Sequence, residues 1–208
     1  MKLCAIMNIM NNILQITQRL QELSSPQGGV FSAADLKNLI DPINKASLYR
    51  TLKQMLDADI IRVFCRGFYV TKDFDIQVLS QRICADSYIS FGTVLAKNLF
   101  IGSVPKYRLL AVKLGQNRVY QNSIFRIEQL AIKPELFTGY ENINGVNIAT
   151  PEKAFLDTLY YYQKGMKFSF DIYSDIDYDG LDRKKIKKYL KLYKNKKYVK
   201  FVNGVINA

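Results

Sequence analysis

The sequence predicts an α+β protein. An N-terminal winged helix-turn-helix is expected to precede a C-terminal mixed α/β domain that ends in a basic amphipathic helix and a short strand. Three observations predict this. Within 28–71, two helical segments meet at a tight turn and are followed by two short β-rich runs around a glycine. From residue 87, short strand-like runs alternate with helical ones. Finally, 183–200 holds ten Lys/Arg and no acidic residue. The expected boundaries are 1–73 for the winged helix-turn-helix, 74–86 for a partly helical connector and 87–208 for the second domain.

Taken in order, 8–24 places Ile9, Ile13, Ile16, Leu20 and Leu23 on one helical face, suited to complete a three-helix core. A loop follows at SSPQGG, 24–29. The next helix spans 32–40, with Ser32 as cap and Asp35 three residues on, the spacing of a capping box. Asp41-Pro42 ends it, because proline lacks an N–H and its predecessor avoids the α region. A second helix over 44–57 puts Leu48, Leu52, Met55 and Leu56 on one face and leaves Ser47, Tyr49, Arg50 and Lys53 pointing elsewhere. IIRVFC, Arg66-Gly67 and FYVT then form a hairpin-like wing. A helix that buries one apolar stripe and presents hydroxyl and cationic side chains is suited to a DNA major groove.

In the second domain, a helix is expected over 91–99 and strands over 107–112, 118–121 and 123–129. A hairpin turn is expected at Asn144-Gly145. At 149–157, ATPEKAFLD marks a helix start: Thr150 caps, Pro151 takes the first turn and Glu152 meets the positive end of the helix dipole. Along 183–193, Ile186, Tyr189, Leu190 and Tyr193 recur at helical spacing behind a cap near Asp182. YVKFV at 198–202 is rich in β-formers and reads as the closing strand.

Composition narrows the function. Apolar residues make up 49% and charged residues 23%, ordinary for a protein with a sizeable core. No run is apolar and long enough to span a bilayer, and the N-terminus is too polar for a signal peptide, so no membrane partner is expected. Cys4, Cys65 and Cys84 are scattered and odd in number, which fits a reducing cytoplasm. Histidine is absent, which excludes Ser-His-Asp and Cys-His catalytic centres and removes the commonest zinc ligand. No catalytic residue, metal ligand or cofactor is therefore assigned.

The net charge of +12 is unevenly placed. Residues 1–80 hold nine Lys/Arg against seven Asp/Glu, and 81–182 hold eleven of each. Nearly all the excess lies in 183–200. Lys184, Lys185, Lys187, Lys188 and Lys191 are candidate contacts for nucleic-acid phosphate or an acidic partner. DIDYDG at 175–180 imitates the opening of an EF-hand loop, but position twelve is Ile186 where a bidentate Glu is required.

The order of GFYV at 67–70, SYIS at 87–90, FTGY at 137–140 and ATPEKAFLD at 149–157 resembles the AbiEi-type antitoxins of bacterial abortive-infection, type IV toxin–antitoxin systems. The likeness spans nearly the whole chain, and ATPEKAFLD is its most specific piece. It implies a phage-defence antitoxin that neutralises a cognate nucleotidyltransferase-like toxin, without need of a stable complex. It also implies a repressor that binds inverted repeats in its own promoter. The DNA-binding role carries over to Lys45, Ser47, Tyr49, Arg50 and Lys53, with Arg62 and Arg66 on the wing. Glu152, Lys153 and Asp157 read as parts of a capped helix rather than as catalysts. Two other readings stay open: a ligand-responsive winged-helix regulator without a toxin partner, and an enzyme built on the carboxylates of 171–179.

Overall fold

Local hydrogen bonds fix the ends of the first helices. The computed structural model describes residues 2–103 and 106–207, with side-chain surroundings from residue 13 onward, so Cys4 and Ile9 lie outside the described side chains. The chain divides into two compact units, 1–79 and 80–208. In the first, α1 (Lys2–Ser24) leads to a short strand, β1 (Val30–Ser32), and then to α2 (Ala33–Ile40). Ser32 Oγ accepts the Asp35 N–H at 3.1 Å, and Asp35 accepts the Ser32 N–H at 2.6 Å, closing the capping box. Asp41 turns left-handed at φ 46° and donates its N–H to the Lys37 carbonyl, ending α2 just before Pro42.

Helix α3 (Lys45–Asp57) begins at a second capping box, made by Asn44 and Ser47. Strands β2 (Arg62–Cys65) and β3 (Phe68–Val70) follow, and the antiparallel sheet runs β1-β3-β2. β1 went unforeseen because three residues are too few to show a period of two. Ile16, Leu20, Phe31, Leu36, Leu39, Leu52, Met55 and Ile61 form one apolar core. The Gly67 carbonyl accepts the Ala33 N–H at 2.9 Å, tying the β2–β3 turn to the start of α2.

Helix α4 (Ile76–Ile83) occupies part of the expected connector. Then come β4 (Ser87–Ile89), α5 (Gly92–Lys97), β5 (Arg108–Lys113), β6 (Arg118–Gln121) and β7 (Arg126–Ala131). A 3-10 turn at Pro134–Leu136 leads to β8 (Tyr140–Ile143) and β9 (Val146–Ala149). The last helices are α6 (Pro151–Gln163), α7 (Arg183–Leu190) and α8 (Lys196–Ile206). The mixed six-stranded sheet runs β6-β7-β5-β4-β9-β8, with α6 packed beside α5, α7 and α8. The molecule is thus a mixed α+β protein with eight α-helices and two sheets among the described residues.

Two expectations are corrected. The strand expected over 123–129 starts at Arg126, because Asn122 Oδ1 accepts the N–H groups of Ile124 and Phe125 and holds a turn there. The closing strand at 198–202 is instead part of α8. Asn195 caps that helix by accepting the N–H groups of Lys197 and Tyr198, and Tyr198, Val202 and Val205 are buried at helical spacing. Burial of that stripe overrides the β-propensity of the run. No helix among the described residues is long and apolar enough to cross a membrane.

Candidate nucleic-acid interface

The two faces of α3 differ sharply. Leu52 and Met55 are buried and Leu48 is half-buried, so this stripe holds the helix on its core. Ala46, Tyr49, Arg50 and Lys53, spaced i, i+3, i+4 and i+7, are all exposed on the other side. The helix therefore offers solvent a stripe with a small apolar residue at its N-terminal end and two cations beyond it.

The expected DNA-binding residues fall into three environments. Tyr49, Arg50 and Lys53 lie on the exposed stripe, and Lys45 places its ammonium 5.8 Å from the centroid of the Tyr49 ring. Ser47 is half-buried: its hydroxyl donates to the Asn44 carbonyl at 2.8 Å and accepts the Asn44 N–H at 3.2 Å. That hydroxyl is engaged in closing the helix cap. Arg62 and Arg66 are both exposed. Arg62 donates from Nε and Nη2 to the two Asp59 carboxylate oxygens, at 2.6 and 2.5 Å. This fork holds the Asp59 carboxyl below the usual carboxylate range. Arg66 sits in the turn between β2 and β3.

Ile43, two residues before the first residue of α3, is 97% exposed. Sequence reasoning passed over Ile43 and Ala46 because apolar residues at a helix start read as packing groups. A residue at that position usually staples onto the fourth helical residue, here Leu48. The exposure of Ile43 shows that no such staple forms.

In the second unit, Lys184, Lys185, Lys187, Lys188 and Lys191 are exposed, while Ile186 and Leu190 anchor α7. Asp182 caps α7 by accepting the Lys184 and Lys185 N–H groups, and these bonds lower the pKa of its carboxyl. The carboxylates of Asp171, Asp175 and Asp177 accept hydrogen bonds from their own loop, while Asp179 is exposed and lies 4.0 Å from Arg183. Asp171 accepts the Tyr173 and Ser174 N–H groups, and Asp175 accepts the Asp171 N–H.

The segments SYIS, FTGY and ATPEKAFLD meet inside this unit. Asp157 is fully buried and accepts hydrogen bonds from Tyr88 Oη at 3.1 Å, Ser90 Oγ at 2.8 Å and Lys153 Nζ. Lys153 is 1% exposed, and its ammonium lies 5.5 Å from the Tyr88 ring centroid. Tyr88 stacks on Tyr140 with centroids 4.9 Å apart. Burial, then the Asp157 charge, push the Tyr88 phenol well above its ordinary pKa, so it remains a hydrogen-bond donor. Gly139, at φ 78°, brings its backbone against Lys153 and Tyr189: an added Cβ would lie 3.0 Å from Tyr189 and 3.1 Å from Lys153. Residues this buried join helix to sheet. A comparison with protein-family models finds no match for this chain, and a comparison with curated proteins finds none either.

Proposed function

We propose that this chain is the antitoxin of a type IV toxin–antitoxin system. It represses its own operon by binding promoter DNA repeats and neutralises a nucleotidyltransferase-like toxin. In this reading the first unit is a winged helix-turn-helix, with α3 as the reading helix and β2–β3 as the wing. The observation that carries the DNA half is the exposed Ala46-Tyr49-Arg50-Lys53 stripe, opposite an apolar stripe that fixes the helix. Recognition helices need this division of faces. The antitoxin half rests on the AbiEi resemblance. Its support is that three of the segments carrying that resemblance pack on one another around Asp157. The lysines of α7 add phosphate contacts that give affinity without reading sequence.

The test pairs two assays: binding of the full chain to DNA upstream of its own reading frame, and growth of cells that co-express it with an adjacent nucleotidyltransferase-like protein. Specific binding and restored growth are expected. A toxic neighbour that the chain does not counter would refute the antitoxin role. A ligand-responsive regulator is the second reading. In its favour is a cleft of about 420 Å³ in the second unit, lined by Tyr160, Lys164, Tyr193, Lys194 and Lys197. Restored growth would decide against it.

A further inference from the structure

We propose that the N-terminal end of α3 reads the 5-methyl group of thymine, through Ile43 and Ala46. The inference rests on the reading of α3 as the DNA-contacting helix and says which base its apolar end selects. Ile43 is 97% exposed although its position suits a staple, and Ala46 is exposed one residue into the helix. Tyr49, 60% exposed, continues the apolar surface on the next turn. Recognition helices present their N-terminal residues to base edges. In the major groove the thymine methyl is the one apolar feature, and alanine and other apolar side chains are its usual partners.

Charge favours the same occupant. Lys45, Arg50 and Lys53 are exposed on the helix that begins at this apolar end, and Lys45 to Gln54 includes no acidic residue, although Asp41 is exposed two residues before Ile43. An apolar end followed by cations along one helix suits an apolar group carried on a polyanion. Arg50 sits four residues beyond Ala46, about 6 Å along the helix axis. Base pairs are about 3.4 Å apart. The thymine should therefore lie within two base steps of a guanine contacted by Arg50, since arginine pairs bidentately with the guanine O6 and N7.

The test selects a duplex from a random library with the full chain, then replaces each thymine by deoxyuridine, which lacks only the methyl group. Removing the methyl at one thymine near the guanine should weaken wild-type binding about fourfold, the value of one buried methyl-sized group. The Ile43→Ser, Ala46→Ser double variant should bind thymine and uracil duplexes equally. Both positions are exposed, so its thermal melt should match the wild type. Equal wild-type binding to every thymine and uracil duplex would overturn the inference and leave DNA reading intact. So would a thymine preference that survives in the double variant. Failure to select any duplex would overturn the inference together with the DNA-binding proposal beneath it.

Discussion

The two units place their polar chemistry in opposite ways. The first keeps an apolar core and puts its cations outside, on α3 and the β2–β3 turn. The second buries charge: among the described residues, every buried polar or charged side chain, from Ser80 to Thr158, belongs to it. The difference separates two kinds of important residue. Substitutions on the exposed stripe of α3 should change what the protein binds and leave its stability intact. Substitutions around Asp157 should change whether the second unit folds, whatever it binds. A growth assay would miss the first kind, and in the second it would not separate misfolding from lost neutralisation, so stability and binding must be measured side by side.

The largest effect is expected at Asp157. Asp157→Ala leaves the Lys153 ammonium buried and unpaired and should cost about 3–5 kcal/mol in denaturant unfolding. Replacing both partners, Lys153→Met with Asp157→Leu, should recover only part of that loss, because the buried Tyr88 and Ser90 hydroxyls lose their acceptor. If the single variant unfolds like the wild type, the interior is not held by this pair. Next comes Arg50→Ala, expected to weaken specific DNA binding by about 1–3 kcal/mol with an unchanged melt. A stability loss as large as the binding loss would erase the distinction between the units. Replacing Lys184, Lys185, Lys187, Lys188 and Lys191 by Gln should lower affinity for all sequences and flatten the dependence of log Kd on log salt. An unchanged salt slope would remove α7 from the DNA contact.

Smaller effects test local devices. Asn195→Ala removes the α8 cap and should destabilise by about 1 kcal/mol. The smallest effect concerns pH. Backbone N–H donors lower the Asp171 and Asp182 carboxyls below their ordinary range. A lowered folded-state pKa contributes stability that is complete above the ordinary aspartate value of about 4. That contribution fades as pH falls through the folded values. The melt should therefore hold between about pH 7 and 5 and decline below about 4. Asp171→Asn should make the decline shallower, and an unchanged acid limb would show that this loop contributes nothing.

Legibility in the sequence followed the range of the forces involved. The Ser32–Asp35 capping box and the Asn144-Gly145 turn depend on neighbours, and both could be read directly. The residues at 198–202 could not, because the burial of Tyr198 and Val202 is set by the helices they meet. In the sequence Lys153 and Asp157 read as parts of a capped helix, with nothing local to mark them as buried. Only Tyr88 and Ser90, more than sixty residues away, reveal the pair as interior. The α3 cations were legible from helical spacing alone. Ser47 with Asn44 and Arg62 with Asp59 are equally local, three residues apart, but both side chains also suit a DNA contact, and spacing alone does not choose between the two roles.

The most direct test of the central claim co-expresses the chain, as wild type and as Arg50→Ala, with the nucleotidyltransferase-like protein encoded beside it. Growth and promoter output are read together. Both forms should restore growth, while only the wild type should repress the promoter. Failure of the well-folded wild type to restore growth against a toxic neighbour would contradict the account.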